Sequence, residues 1–146
     1  MGQATTDERD GVAERLIAQA AEAQRRAYAP YSHYPVGAAL LTRAGAVYTG
    51  VNVENAVFPL TTCAERAAVV RAVSEGDTDF VALAVVTRDG GSPCGSCRQI
   101  LREFNAGDLR VFIATPDGRY RERRLADLLP DSFGPENLDP PTPAAM

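Results

Sequence analysis

The sequence predicts an α/β fold, a three-layer α-β-α sandwich around a mixed sheet of about five strands. An apolar hairpin comes early in the chain and is followed by helix, strand, helix and strand in turn. That order requires crossover connections, which give a partly parallel sheet with helices on both faces. A length of 146 residues with 45% hydrophobic content suits one core, so we expect a single domain over residues 1–146.

The first part of the chain predicts one helix and then the hairpin. Apolar residues recur every three or four positions between Val12 and Ala27, which is the spacing of an amphipathic helix that begins near Asp7. Pro30 is expected to end this helix near Tyr28. The two strands of the hairpin are expected at residues 36–42 and 47–53.

The rest of the chain alternates helices with strands and finishes at an edge of the sheet. In chain order we expect a helix at 63–73, a strand at 80–87, a helix at 94–105, a strand at 110–114, an edge strand at 119–124 and a short helix at 126–129. Both ends of the chain, about 1–6 and 139–146, are expected to be flexible.

Charge and hydropathy disfavour two function classes. The chain carries 15 basic and 19 acidic residues, a net charge of -4, and it has no apolar run of membrane-spanning length. We therefore expect neither a membrane partner nor nonspecific nucleic-acid binding. A cluster of four arginines near the predicted edge strand is interpreted as a solvated edge that resists aggregation: Arg119, Arg121, Arg123 and Arg124.

Three cysteines are the most informative residues in the sequence. An odd number cannot all pair within one chain, and the first residues lack the pattern of a secretion signal, so we expect reduced thiols and a cytoplasmic location. Cys94 and Cys97 form a Cys-x-x-Cys pair at a predicted helix start, where two thiolates can converge on Zn²⁺. A thioredoxin-like redox pair and a buried structural pair explain such a motif equally well. Cys63 begins another predicted helix and favours a metal site, because a redox dithiol has no use for a third thiolate.

The number of available ligands distinguishes a structural from a catalytic zinc. A structural zinc needs four protein ligands, and the fourth candidate, His33, falls in a loop where a surface role is the better interpretation. Cys63, Cys94 and Cys97 leave one position open, which predicts a catalytic zinc that carries water, one ion per chain.

Charged residues beside the cysteines suggest how such a site would work. Glu65 is placed to act as a general base and then a general acid, although a helix start favours any glutamate. Three thiolates around Zn²⁺ leave a net negative charge, and Arg66 is the first candidate to compensate it, unless it is simply a solvated helix residue. Gln99 and Arg98 are further candidates for contacts around the ligands.

These motifs resemble a known zinc signature. The segments 63–66 (Cys-Ala-Glu-Arg) and 93–99 (Pro-Cys-Gly-Ser-Cys-Arg-Gln) resemble that of the cytidine deaminase superfamily. The likeness covers about residues 10–138 and is greatest to the small, homotetrameric, three-cysteine cytidine deaminases of nucleoside salvage. It implies hydrolytic deamination of cytidine and 2'-deoxycytidine to uridine and 2'-deoxyuridine, with release of ammonia. In such a mechanism the water activated by zinc attacks C4, and Glu65 protonates N3 and then the leaving nitrogen.

The resemblance also implies substrate-binding roles. Asn52 and Glu54 would hold the ribose hydroxyls, and their spacing agrees, because positions i and i+2 of a strand share a side. On the same pattern we expect Val51 and Val53 to face the core. Ala64 would meet the pyrimidine through its backbone.

Two aromatic residues complete the implied site. Tyr34 stands where members of the family stack an aromatic ring, often Phe, on the base. Phe133 matches an aromatic that closes the pocket of a neighbouring subunit, so the implied sites are shared within a homotetramer; core packing of a short helix is the alternative.

Other functions remain to be distinguished from this one. A deaminase of a nucleoside antibiotic such as blasticidin S would keep the zinc signature but need not keep the ribose-binding motif at residues 52–55. Polynucleotide editing is disfavoured by size and charge. A noncatalytic zinc module or a redox dithiol protein would show no substrate turnover.

Overall fold

The computed structural model describes residues 6–138, and of residues 6–10 it describes the backbone alone. The helices and strands, in chain order, are α1 Thr6–Gln24, β1 Gly37–Thr42, β2 Val47–Val51, α2 Ala64–Ser74, β3 Phe80–Val86, α3 Gly95–Phe104, β4 Arg110–Ala114, β5 Tyr120–Arg124 and α4 Leu125–Leu128. Single 3₁₀ turns lie at Phe58–Leu60 and Pro135–Asn137. Residues 1–5 and 139–146, where flexible ends were predicted, lie outside the described residues; Thr6 already belongs to α1.

The strands form one five-stranded sheet in the order β2-β1-β3-β4-β5. β3 and β4 are parallel, and α3 is the crossover between them, whereas the other neighbouring pairs are antiparallel. β5 is an edge strand whose residues are all exposed. The predicted mixed sheet is therefore confirmed.

Helices cover both faces of the sheet. Alternate residues of β1 point to opposite sides, so Leu40 packs with the core under α2 and α3 while Ala39 packs with α1. On the α1 face, Leu16 and Ile17 contact a core that includes Phe112 of β4. The predicted three-layer α-β-α sandwich is confirmed. No helix within residues 6–138 is both long enough and apolar enough to span a membrane.

Two glycines let the helices lie directly on the sheet. A Cβ at Gly37 of β1 would lie 2.0 Å from the carbonyl oxygen of Ala20 in α1. A Cβ at Gly50 of β2 would lie 2.4 Å from the carbonyl oxygen of Ala64, the first residue of α2. Only glycine permits these approaches, and the second one fixes the start of α2 against the end of β2.

Two local predictions differ from the structure by more than one residue, and tertiary contacts explain both. α1 ends at Gln24 rather than near Tyr28, because the Tyr28 amide donates to the Asn52 carbonyl (3.0 Å) and draws the chain toward the end of β2. β2 ends at Val51, and Val53 is 47% exposed instead of facing the core. The backbone of Val53 leaves the sheet and forms isolated bridges with Tyr28 and Thr62. The short helix α4 begins one residue earlier than expected, at Leu125.

Candidate active site

Two helix starts bring the three cysteines together. Cys63 is the N-cap residue of α2 and Cys94 that of α3, both in extended conformation, and Cys97 lies in the first turn of α3. The three sulfur atoms lie within 4.8 Å of one another. Cys63 Sγ is 4.0 Å from Cys94 Sγ, which is 3.6 Å from Cys97 Sγ. Cys97 is buried, whereas Cys63 and Cys94 line an open cavity.

The sulfur cluster fits a tetrahedral zinc ion. Two thiolates on Zn²⁺, each at about 2.3 Å, lie about 3.8 Å apart, close to the two separations above. Among the side chains described, no other group of three or more His, Cys, Asp or Glu residues converges in this way. His33 lies in an exposed loop, where its carbonyl oxygen accepts a hydrogen bond from Arg88. Three protein ligands are typical of a catalytic zinc rather than a structural one.

The surroundings of Cys63 favour its thiolate. Contact with the Cys97 thiol lowers the pKa of Cys63 to about 5, and the charge of Arg66 acts in the same direction. The same contact, together with burial, raises the pKa of Cys97. Both helix starts also offer partial positive charge to the sulfurs. Of Cys63 and Cys97, Cys63 is thus the thiol that ionises more readily.

Glu65 is a buried carboxyl group beside the cluster. It lies in the first turn of α2, is 5% exposed and lines the same cavity as Cys63 and Cys94. Burial raises its pKa, and the Cys63 charge raises it further. A carboxyl group whose pKa is raised toward neutrality is suited to accept a proton and return it.

Of the three residues considered as supports for the ligands, Arg66 is the one whose charge lowers the pKa of a ligand, Cys63. Its Nη2 donates to the Thr61 carbonyl (2.6 Å), and its buried Nε has no hydrogen-bond partner among the described residues. Arg98 instead braces the loop before Cys94, because it donates to the carbonyl oxygens of Pro93 and Leu128, each at 2.7 Å. Gln99 donates to the Phe133 carbonyl oxygen (2.9 Å).

A cavity of about 420 Å³ opens beside the cysteines. Polar residues from four segments of the chain and a few apolar ones form its wall. They are Ser32, Tyr34, Val36, Asn52, Glu54, Thr61, Cys63, Ala64, Glu65, Val85, Thr87, Gly91, Ser92 and Cys94.

Asn52 and Glu54 both line this cavity and also anchor the segment before β1. Asn52 is 7% exposed; its Oδ1 accepts from the Val36 amide and its Nδ2 donates to the Tyr34 carbonyl, both at 2.9 Å. Glu54 Oε1 accepts from the amides of Tyr31 (2.9 Å) and Ser32 (3.0 Å), and Oε2 accepts from the Ser32 hydroxyl. The bonds from Ser32 lower the pKa of Glu54.

The two aromatic residues lie in different surroundings. Tyr34 lines the cavity, and its hydroxyl donates to Asp89 Oδ1 (2.5 Å). Phe133 is 58% exposed and is not part of the cavity wall of its own chain. Core packing, the alternative considered for Phe133, is therefore wrong.

Most of the chain is similar to known proteins. Residues 11–114 match the family model described as "Cytidine and deoxycytidylate deaminase zinc-binding region". The chain belongs to the cytidine deaminase family. The cytidine deaminase of Sporosarcina psychrophila is 47% identical over 127 residues, which cover 86% of this chain and 93% of that one. The cytidine deaminase of Halalkalibacterium halodurans is 44% identical over 126 residues, 85% of this chain and 96% of the relative.

A solved cytidine deaminase shares the fold. The crystal structure from Burkholderia pseudomallei superposes with a TM-score of 0.78 at 45% sequence identity, and the match covers 82% of this chain and 97% of that one. The matched family region is a zinc-binding one, and the three thiols are a donor set that suits Zn²⁺. Zn²⁺ is therefore the cofactor of this cytidine deaminase family member, with one three-thiol cluster per described chain.

Some residues in and around the cavity leave little signal in the sequence. Thr87 lines it, and its hydroxyl accepts from the Gly91 amide (2.7 Å). Asp89 supports Tyr34 from the following loop. A contact across 55 positions of the chain leaves no periodic pattern, so only the fold reveals it. The structuring roles of Asn52 and Glu54 had a weak signal, namely polar residues directly after an apolar strand.

Proposed function

We propose that this protein catalyses the zinc-dependent hydrolytic deamination of cytidine and 2'-deoxycytidine to uridine and 2'-deoxyuridine plus ammonia. It would be a hydrolase acting on the C–N bond of a cyclic amidine, in pyrimidine nucleoside salvage. One observation carries the proposal: the buried Glu65 carboxyl lines the same cavity as two of the three clustered thiols. A noncatalytic zinc module would not need a buried acid beside its ligands.

Glu65 is the proton carrier in this proposal. Cys63, Cys94 and Cys97 hold Zn²⁺, which when bound supplies the Lewis acid that activates a water for addition to C4. Glu65 accepts a proton from that water and delivers it to N3 of the pyrimidine. It then takes the second proton from the oxygen added at C4 and delivers it to the amino nitrogen, which leaves as ammonia as the C4–N bond breaks and C4 keeps the oxygen. Burial raises the pKa of Glu65, which makes its carboxylate a stronger base for taking up the proton from water.

Arg66 would balance the charge of the ligand set. Three thiolates and one Zn²⁺ sum to a net charge of about -1, which would make bound water a poorer acid. The Arg66 guanidinium already lowers the pKa of Cys63, and its buried Nε has no hydrogen-bond partner in the described residues. Gln99 would instead support the segment that carries Phe133, because its side chain donates to the Phe133 carbonyl oxygen.

The sugar would bind Asn52 and Glu54. One N–H of the Asn52 amide is used by Tyr34, which leaves the second for a ribose hydroxyl. Glu54 Oε2 accepts only from Ser32 among the described contacts, so a lone pair remains for a hydroxyl donor. Ala64 and Tyr34 line the same cavity and would contact the pyrimidine, the first through its backbone and the second through its ring.

The cavity suits a nucleoside better than a nucleotide. No lysine or arginine occurs among the described residues that line it, and Glu54 contributes a negative charge, so a phosphate would find no charged partner there. The pair of sugar contacts also favours cytidine over an antibiotic that lacks a ribose. Neutral pyrimidine nucleosides, with ribose or 2'-deoxyribose, are therefore the proposed substrate class.

We also propose a homotetramer in which Phe133 completes the site of a neighbouring subunit. The exposed ring of Phe133 supports this, as do the exposed apolar side chains of Phe58 and Leu60. We also propose a cytoplasmic location, because an oxidising compartment would favour disulfides over the three free thiols that bind zinc.

Mixing chains tests the shared site: refolding Glu65→Gln together with Phe133→Ala should restore part of the activity that each lacks alone. No gain over the separate variants would contradict a shared site.

A substrate panel tests the proposed function most simply. The zinc-loaded protein is mixed separately with cytidine, 2'-deoxycytidine, deoxycytidylate and blasticidin S, and the loss of near-ultraviolet absorbance is followed. We expect rapid turnover of the two nucleosides and at least about tenfold lower kcat/KM for the nucleotide, equivalent to the loss of about 1.4 kcal/mol. Turnover of blasticidin S alone, or no turnover at all, would contradict the proposal.

A further inference from the structure

A contact at the rim of the cavity joins two loops that are distant in sequence. Tyr34 lies between α1 and β1, and Asp89 lies between β3 and α3, in the loop that leads to Cys94. The Tyr34 hydroxyl donates to Asp89 Oδ1 at 2.5 Å, and Thr87 donates to the same oxygen at 3.3 Å. Because the acceptor is a carboxylate, the bond from Tyr34 is charge-assisted and stronger than a neutral one.

Other contacts hold the Tyr34 ring from behind. The Arg88 guanidinium lies over the ring at 4.9 Å from its centroid, and Arg88 Nη1 donates to the His33 carbonyl oxygen (2.9 Å). Arg88 is not among the described residues that line the cavity, so the cation that contacts the ring belongs to its support and not to the cavity wall.

Gly91 lies against the Tyr34 hydroxyl and restricts its position. A Cβ on Gly91 would lie 2.5 Å from Tyr34 Oη, so the absence of a side chain at Gly91 is what lets the hydroxyl occupy its place. Gly91 is itself held by the bond from its amide to Thr87 Oγ1 (2.7 Å). The ring is thus fixed at its tip and on one face.

We propose that Asp89 is a positioning residue that holds the Tyr34 ring in the cavity wall and thereby sets the affinity for the pyrimidine. The inference rests on the proposed function, in which Tyr34 contacts the base. A ring that is held in place before the substrate arrives loses less freedom on binding, which improves affinity. Since ground state and transition state gain equally from such a contact, KM should change and kcat should not.

The protonation states support a lasting bond. Burial and the bond to Asp89 raise the pKa of Tyr34, so its hydroxyl keeps its proton at neutral pH. The bond from Tyr34 lowers the pKa of Asp89, which keeps its carboxylate charged. Donor and acceptor therefore stay matched throughout the range in which the enzyme would be assayed.

Four variants of the zinc-loaded protein test the inference with cytidine as substrate. Tyr34→Phe keeps the ring and removes only the hydroxyl, and Asp89→Ala removes only the acceptor. Because Asp89 is exposed to solvent, we expect each to raise KM about 3- to 10-fold, with kcat within about twofold of the wild-type value. The double variant should be no worse than either single one, and Asp89→Asn, which keeps an acceptor oxygen, should restore most of the affinity.

A steric variant provides a second, independent readout. Gly91→Ala should displace the hydroxyl and raise KM in the wild-type background, but it should have a clearly smaller effect in the Tyr34→Phe background, where the nearest atom is missing. This comparison does not depend on whether Asp89→Ala folds well. Asp117→Ala is the matched control: Asp117 is an exposed aspartate in a turn outside the cavity wall, and KM should stay unchanged.

The outcomes separate this inference from the function on which it rests. Wild-type turnover of cytidine with an unchanged KM in Tyr34→Phe would overturn the positioning role alone. Additive effects of the Tyr34 and Asp89 variants, equal effects of Gly91→Ala in both backgrounds, or a fall in kcat at constant KM would overturn it as well. A wild-type protein that does not deaminate cytidine would overturn both proposals.

Discussion

Gly134 lies directly against the guanidinium of Arg102. A Cβ at Gly134 would lie 2.5 Å from Cζ and both Nη atoms of that side chain. Arg102 is 8% exposed; its Nε donates to Ser132 Oγ at 2.9 Å, and its Nη2 is paired with Glu136. A buried cation on α3 therefore clamps the segment that carries Phe133, and a side chain at position 134 would require the Arg102 guanidinium to move.

The first prediction concerns this clamp. Gly134→Ala should displace Arg102 and lower the free energy of unfolding by about 1 to 3 kcal/mol, because the new methyl group overpacks a buried site. The backbone itself accepts alanine, since φ at Gly134 is -144°. Urea unfolding measures the loss. Gly11→Ala is the control: Gly11 lies in α1 with open space around it, so alanine should be neutral or stabilising there. An equal free energy of unfolding in the two variants would show that the clamp is not tightly packed.

Removal of Arg66 should make zinc retention more sensitive to acid. Arg66 helps to keep the pKa of Cys63 at about 5, so the thiolate is present above that pH and is lost as the pH falls through it. In Arg66→Ala the pKa rises, and the pH at which half of the zinc is released should move upward by about one unit. Zinc content after dialysis across a pH series checks this. Arg71→Ala, on the same helix but bonded to Thr49, should behave like the wild type; an unshifted midpoint in Arg66→Ala would contradict the assigned role.

Glu54→Gln should weaken the anchor before β1 in a pH-dependent way. The folded-state pKa of Glu54 is lowered from the ordinary value of 4.5, so its contribution to stability is fully present above that value and is lost as the pH falls through the lowered pKa. The variant should be less stable than the wild type at neutral pH, and the difference should shrink in acid. Denaturant unfolding of both proteins at several pH values measures it. A difference that stays constant with pH would indicate that the charge of Glu54 contributes nothing.

Loss of a single thiol should reduce both zinc content and stability. In Cys94→Ala two thiols remain, so zinc should fall well below one ion per chain. Stabilisation by bound metal is about 3 kcal/mol when free zinc exceeds the dissociation constant by about 100-fold, and this contribution should disappear. Ser96→Ala, an exposed change within the same helix turn, is the control and should keep its zinc. Full zinc stoichiometry in Cys94→Ala would exclude Cys94 as a ligand.

Much of the fold followed from local patterns. The strand at Arg110–Ala114 has the predicted bounds, and the helices at Ala64–Ser74 and Gly95–Phe104 differ from expectation by about one residue, because buried periodicity is strong there. The end of α1 and the exposure of Val53 were mispredicted, since both depend on the bridges that Val53 makes with Tyr28 and Thr62.

The residues that carry the chemistry of the site were more predictable than the residues that hold them in place. Cys63, Cys94 and Cys97 could be grouped from their motifs, because ligand type and helix starts leave a signature in sequence. Three supporting contacts could not be predicted: the anchoring by Asn52, the contact of Tyr34 with Asp89 and the clamp at Arg102. Each joins residues that are distant in the chain and that only the fold brings together.

We propose that Glu65 transfers protons beside a zinc ion that it does not itself bind. Glu65→Gln removes the ionisable proton carrier while it preserves size and leaves the three thiols intact. Zinc content and cytidine turnover of this variant, measured on the same preparation, test the claim directly. The account predicts about one zinc ion per chain and a loss of kcat by several orders of magnitude. Near-normal turnover, or loss of the zinc itself, would contradict it.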